Sequence, residues 1–332
     1  MVAFPGDSKT DRVMYYFYKK KDPMEQERNI TVVGAGVVGL SWIGLFLANG
    51  LRVTVCDPHP EIQIAVLSGL EKIKWTLQSL GYPAEKFTRR LHFENKLHKA
   101  VADADFIQES IPEDTEAKQS LYEKLDRFTR PSALLFSSSA SLSASVLVKR
   151  MKNPDRVLVG HSFDAPHVMP LVEVVPGVKT SKEAIQQAMA FYRGIGKWPV
   201  LIRKEIAGFV ANRLHFALLR EGMHLVNSGV LSIEQLDDLV RVSLGPRWAA
   251  AGPFKTLALG GGIEGMAHFL RISGPLMQNV WRELGQVNLD ESTRASLRKQ
   301  SDDCYARVPV EDLIKARDEE QIAILNVLKV HS

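Results

Sequence analysis

Along the chain, the spacing of apolar and polar positions changes character near residue 204. From Asn29 onward, short apolar runs alternate with longer stretches of helical period. Ile30 to Val33 is one such run, and after it Leu40, Ile43, Gly44 and Leu47 recur at i, i+3, i+4 and i+7, the apolar stripe of a helix. Residues 52–56 read as a second strand. A helix is expected from 61 to about 80, closed by Gly81 and Pro83, with Trp75 in its core. Strands over 105–108, 132–137, 156–160, 170–176 and 197–202 follow, with helices over 114–129 and 182–194 between them. Past Lys204 the period is helical throughout: 205–228, a helix opened by the capping box Ser232-x-x-Gln235, then 264–273, 275–284, 290–306 and 310–328. The pattern predicts an α/β protein. A doubly wound parallel sheet occupies residues 29–204, and an all-helical domain occupies 205–332. Residues 1–28 stand apart as an extension expected to be poorly ordered, with the aromatic cluster Met14-Tyr15-Tyr16-Phe17-Tyr18 and the lysines 19–21.

Between the first strand and the first helix lies Gly34-Ala35-Gly36-Val37-Val38-Gly39. In a strand–turn–helix setting each glycine has a task. Gly34 permits the tight turn, Gly36 lets the backbone approach a pyrophosphate, and Gly39 lets helix and strand pack closely. The helix start, with Val37 and Val38, offers N–H groups and a positive dipole end to the phosphates. Asp57 ends the second strand eighteen positions after Gly39, where it can accept from both ribose hydroxyls and would repel a 2′-phosphate. The whole unit predicts a Rossmann domain that binds NAD rather than NADP. Glu109 and Ser110, just past the strand at 105–108, read either as contacts on the nicotinamide side or as caps of the next helix. The serines from 137 to 143 lie at the same sheet edge, where Ser143 or a neighbour could cap a helix.

Composition changes this picture little. In 332 residues, 42 Lys and Arg against 38 Asp and Glu give a net charge of +4, spread without aromatic interleaving, so no nucleic-acid surface is expected. Cys56 and Cys304 are far apart and without metal-ligand spacing, which predicts a reducing, cytoplasmic setting and no metal. No apolar run suits a membrane span.

The chemistry concentrates in Gly160 to Pro176, GHSFDAPHVMPLVEVVP. His161 ends one strand and Glu173 lies twelve residues later on the next. Alcohol oxidation needs a base for the hydroxyl proton while hydride leaves for the nicotinamide, and a carboxylate on the other ring nitrogen would fix the imidazole. This segment resembles the signature of the L-3-hydroxyacyl-CoA dehydrogenase superfamily, as does Gly208-Phe209-Val210-Ala211-Asn212-Arg213. The resemblance implies a catalytic pair on His161 and Glu173, a substrate-binding asparagine on Asn212, and dimerisation through the helical domain.

Within the superfamily, Gly245-Pro246-Arg247-Trp248, Gly252-Pro253-Phe254 and Gly261 to Met266 look closer to the branch containing L-carnitine and L-gulonate 3-dehydrogenases, whose substrates are small 3-hydroxy acids. Arg247 could hold a free carboxylate bidentately and Trp248 a quaternary ammonium, although an ion pair and a core position suit them equally. Two departures stand out. Ala140 occupies the place where the family usually has a serine, with Ser139 and Ser141 on either side as substitutes, and Asp164 replaces an asparagine. The sequence thus predicts an NAD-dependent 3-hydroxy-acid dehydrogenase. A thioester enzyme using Lys72, Lys74, Lys86, Arg89 and Arg90 for CoA phosphates, and a non-catalytic NAD-binding protein, are the alternatives.

Overall fold

In the computed structural model, which describes residues 28–84 and 87–330, the chain forms two units, Met1–Asn212 with Asp318–Ser332, and Arg213–Arg317. Residues 1–27 of the extension, with the aromatic cluster and lysines, and Lys86 lie outside the described residues.

The first unit is built on one eight-stranded sheet of order β3-β2-β1-β4-β5-β6-β7-β8. Its strands are β1 (Asn29–Val33), β2 (Arg52–Cys56), β3 (Leu91–Phe93), β4 (Phe106–Glu109), β5 (Leu134–Ser137), β6 (Val157–Ser162), β7 (Leu171–Pro176) and β8 (Trp198–Leu201). The helices between them are α1 (Val37–Ala48), α2 (Ile62–Ser79), α3 (Leu97–Ala100), α4 (Thr115–Phe128), α5 (Ala144–Leu147) and α6 (Lys182–Gly194). Both faces of the sheet are covered, so alternate strand residues feed two cores. Ile30, Val32, Phe106, Leu134 and Leu158 join one with α1, α2 and α6, while Val33, Ile107, Leu135, Val157 and Val159 join the other with α3, α4 and α5. The strand order reverses between β1 and β4, and ligands of such sheets bind in the crevice at that point.

The expected parallel sheet holds from β3 to β6 and then turns. β6 and β7 form an antiparallel pair, and β8 runs parallel to β7. The reason is the connection. Only residues 163–170 join β6 to β7, which is enough for a hairpin loop but too few for a crossover helix. Helix α1 also departs from a simple stripe. Trp42, Ile43, Leu45 and Phe46 are all fully buried, because the helix lies sandwiched rather than half-exposed. Trp75, placed in the core by its helical spacing, is instead 46% exposed.

The second unit is helical: α7 (Ala211–Asn227, whose first two residues belong to the first unit), α8 (Ile233–Val242), α9 (Leu244–Ala251), α10 (Pro253–Gly260), α11 (Met266–Glu283), α12 (Glu291–Tyr305) and the start of α13 (Val310–Val330). The capping box at Ser232 and Gln235 is formed in full. The segments 264–273 and 275–284 merge into α11, which runs through Pro275. The missing N–H removes one backbone bond without stopping a helix whose remaining turns are intact. The expected start at residue 205 moves to 211, because Gly208 and Phe209 both take positive φ, at 73° and 50°.

Candidate active site

The glycine turn between β1 and α1 has the geometry its glycines require. Gly34 has φ of 89°, and a Cβ there would lie 2.8 Å from the Ser110 backbone. A Cβ on Gly39 would lie 2.0 Å from the Gly34 carbonyl oxygen. Gly36 differs. Its φ is −65°, which any residue adopts, and nothing stands within 4 Å of the place a Cβ would take. The space beside Gly36 is open, as close approach of a ligand would require. No side chain caps α1, and Val37 is 86% exposed beside that opening. These residues fit a dinucleotide. Asp57 accepts from the backbone N–H groups of Ala35 and His59, both at 2.9 Å, so the acid is held against the turn it serves.

The glycines therefore separate by experiment. Gly39→Ala should cost about 3 kcal/mol in urea unfolding, since rigid backbone faces the new methyl. Gly36→Ala should fold normally yet weaken NADH binding by about tenfold or more, as read by fluorescence titration.

His161 and Glu173 are cross-strand partners in the β6–β7 ladder, so the twelve-residue spacing places them on one face. Their bond, His161 Nδ1 to Glu173 Oε2, is 2.9 Å, and both side chains are buried. The other Glu173 oxygen accepts from the backbone N–H of Val210 at 2.9 Å and of Ala211 at 3.0 Å, the start of α7. Burial works to raise the Glu173 carboxyl, but the bonds from His161, Ala211 and Val210 prevail and hold it below its usual range. Asn212, half-buried in the first turn of α7, is therefore fixed by the same carboxylate that orients His161. Phe209, at its left-handed φ and fully buried, packs on the imidazole with ring centroids 5.3 Å apart. Such a conformation is costly for an aromatic residue and marks a place where the fold imposes geometry.

The serine loop is organised by a residue absent from the expectations above, Glu113. Its carboxylate accepts from the hydroxyls of Ser139 and Ser141 and from the Ser141 N–H at 3.0 Å. Lys118 Nζ lies 3.4 Å from Glu113 and 2.6 Å from Glu109. Burial opposes the Glu113 charge, yet the two hydroxyls and the Lys118 ammonium bring its carboxyl down to about 2.

Two expectations are corrected here. Glu109 is wholly buried, with its oxygens taken by Lys118, Ser137 and the Ile111 N–H. It forms a structural ion pair and has no surface to offer a cofactor. Ser139 is also buried, its hydroxyl fixed between Glu113 and the Leu142 N–H, whereas Ser141 is exposed. Of the two serines only Ser141 faces outward. Ser143 stands at the α5 start without making a side-chain cap bond. Asp164 has φ of 55°, a conformation Asn and Asp tolerate best among residues with a Cβ, so the exchange for asparagine keeps the turn. Arg247 and Trp248 lie exposed on α9 of the second unit. Burial, then Asp57 and Glu94, push the Cys56 thiol up to about 11, leaving it protonated and inert.

Known proteins resemble this chain over most of its length. The family model for the 3-hydroxyacyl-CoA dehydrogenase NAD binding domain matches residues 29–206, and that for the 3-hydroxyacyl-CoA dehydrogenase C-terminal domain matches residues 208–292. The L-carnitine dehydrogenase of Streptomyces coelicolor is 37% identical over 301 residues, covering 91% of this chain and 95% of that protein. The enzyme of the same name from Pseudomonas aeruginosa is 36% identical over 302 residues, covering 91% and 94%. Among solved structures, 5-formyl-3-hydroxy-2-methylpyridine 4-carboxylic acid 5-dehydrogenase, an NAD+-dependent dismutase, matches with a TM-score of 0.76 at 26% identity, covering 92% of this chain and 99% of that one.

Proposed function

The chain belongs to the 3-hydroxyacyl-CoA dehydrogenase family, and on that premise we propose how its residues divide the work of an NAD-dependent oxidation and which substrate they take. It is an NAD-dependent 3-hydroxy-acid dehydrogenase, an oxidoreductase acting on CH–OH. NAD supplies the hydride acceptor. Gly34, Gly36, Val37, Val38 and Gly39 hold its pyrophosphate and Asp57 its adenosine ribose. His161 takes the hydroxyl proton at Nε2, because Nδ1 is committed to Glu173. Glu173 keeps the ring oriented and stabilises its cationic form. Asn212 and Ser141 bind the substrate oxygen. The observation that carries this reading is the Glu173 carboxylate bridging His161 and the start of α7.

The substrate we propose is a small free 3-hydroxy acid of the carnitine or gulonate kind, with Arg247 as carboxylate anchor and Trp248 as the face for a quaternary ammonium. The relatives named L-carnitine dehydrogenase support it over most of the chain. A CoA thioester is less well served. Among the cations that could meet CoA phosphates, Lys74 pairs with Glu71 at 3.3 Å and Arg90 donates to the Gly50 carbonyl at 2.9 Å. The test is NADH formation with carnitine, gulonate, 3-hydroxybutyrate and its CoA thioester. Turnover of a free acid, unaffected by added CoA, is expected. Turnover of the thioester alone would refute the substrate assignment, and NADH binding without any turnover would refute the enzyme.

The working unit we propose is a homodimer through the helical unit. No described residue of α8, α9, α10 or α11 is buried, and α11 presents Ile272, Leu276 and Val280 at i, i+4 and i+8 with Trp281 alongside. An apolar stripe of this size on a helical domain without its own core calls for a partner, and a second copy supplies the same stripe. Sedimentation should show a dimer, converted to monomer by the double substitution Leu276→Glu and Val280→Glu. No described helix is long and apolar enough to cross a membrane.

A further inference from the structure

The loop of residues 163–170, between the strand of His161 and the strand of Glu173, is gripped from two sides by buried polar groups that the dehydrogenase assignment does not use. On one side is Ser41, on the second turn of α1, the helix that follows the glycine turn. Its hydroxyl accepts from the His167 N–H at 2.9 Å and meets His167 Nδ1 at 2.7 Å. On the other side is Lys197, immediately before β8. Its ammonium donates to the carbonyls of Pro166 and of Met169, the latter at 2.9 Å, and the neighbouring Trp198 N–H adds a bond to the Pro170 carbonyl at 2.8 Å. Ser41, His167 and Lys197 are all buried.

A lysine is rarely buried without a carboxylate, and the groups that meet Lys197 here are carbonyl oxygens. Its ammonium instead satisfies two carbonyls of the loop, those of Pro166 and Met169. Burial pushes the ammonium down to about 7, but an amine keeps two N–H donors after losing its proton, so both carbonyls stay met across neutral pH. The loop's own structure is slight: Val168 N–H and Met169 N–H both bond to the Ala165 carbonyl, and Asp164 is left-handed. The ladder of β6 and β7 and the Phe163 N–H to Leu171 carbonyl bond close its base, and the two grips tie its tip to the cofactor helix and to the strand beyond.

We propose that Lys197 and Ser41 are positioning residues of the dehydrogenase centre: they clamp the loop of residues 163–170 between the cofactor helix and the sheet edge, and so set His161 against the bound dinucleotide. Hydride transfer needs the base and the acceptor aligned to a fraction of an ångström, and displacement of about 1 Å can cost 10²-fold in rate. The clamp ties the element that holds one to the element that carries the other. This inference rests on the reading of His161 as the base.

The test uses the full chain with Lys197→Met, which keeps the stem and removes the donors, and Ser41→Ala, which removes one hydroxyl. Three quantities are measured with the hydroxy acid the enzyme turns over: NADH affinity by fluorescence, kcat per NADH-binding site, and the isotope effect for substrate deuterated at the hydroxyl-bearing carbon. Hydrogen exchange of the 161–173 segment is followed in parallel. The expected result is kcat lowered about tenfold or more in Lys197→Met and about threefold in Ser41→Ala, with a raised isotope effect and faster exchange confined to that segment. NADH affinity should stay within about twofold. If Lys197→Met does not fold, Ser41→Ala decides alone. Wild-type kcat and isotope effect in the folded variants, or faster exchange throughout the chain with NADH binding lost, would overturn the clamp. His161→Gln, run alongside, separates the two readings: its survival as an active enzyme removes the base assignment, whereas its inactivity beside fully active clamp variants removes only the clamp.

Discussion

His161→Gln is expected to lower kcat for NAD-linked oxidation by about 10²- to 10⁴-fold, the usual contribution of a positioned general base. Gln fills similar space against Phe209, whose ring centroid lies 5.3 Å from that of His161, and its amide can donate to Glu173 in place of Nδ1. What it cannot do is accept a proton at neutral pH. NADH affinity and thermal stability should therefore change little, and the loss should fall on kcat. Initial rates of NADH formation with saturating NAD make the measurement. A rate within about threefold of wild type would mean that another group takes the proton. Histidines of the helical unit have different employment: His268 bonds to Arg271 at 2.8 Å, the His215 ring stacks on Phe216, and the His224 ring packs against Gly285.

The geometry of the glycine turn was legible in the sequence because its constraints are local. Positive φ at Gly34 and the contact between Gly39 and the Gly34 carbonyl leave no other residue possible, so the glycine spacing carries the geometry. His161 and Glu173 were legible by resemblance, but their pairing depends on the ladder register, which the antiparallel turn of β7 decides. That turn follows from a short connection, whereas the alternating pattern suggests continued parallel strands. The Glu113–Lys118 network left a fainter trace. Lys118 stands four residues before Tyr122 and seven before Leu125, both fully buried, so a lysine occupies the apolar register of α4. That mismatch is the signal that a carboxylate must lie opposite, and the buried Glu109 is the carboxylate. Ser41, His167 and Lys197 left no such trace, because hydrogen bonds to loop carbonyls and amides have no sequence period. Phe209 could not be foreseen either, since positive φ in an aromatic residue is imposed by packing around it.

Glu173 yields the most divided outcome of any position in the molecule, because its two oxygens serve two structures. In Glu173→Gln the amide oxygen can still accept from Val210 and Ala211, so the start of α7 stays bound and Asn212 stays in place. The amide nitrogen must then face His161. As a donor, it forces Nδ1 to accept, which places the ring proton on Nε2, where the substrate proton should go. The variant should fold, bind NADH with wild-type affinity, and lose on the order of 10³- to 10⁴-fold in kcat through the wrong tautomer. Glu173→Ala removes both bonds. It should show a similar rate and, in addition, about 3 kcal/mol less stability in urea, from a helix start and an imidazole left unpaired in the interior. Acid adds an independent check. The bonds it accepts hold the folded-state carboxyl below its ordinary range, so its contribution to stability is fully present above the usual glutamate range and is lost as pH falls through the depressed folded value. Glu173→Gln has no proton to take up there and should lose less stability than wild type as pH falls below the usual glutamate range. If both variants kept wild-type turnover, Glu173 would be a helix cap alone; if Glu173→Gln lost as much stability as Glu173→Ala, the division of labour between its two oxygens would be wrong.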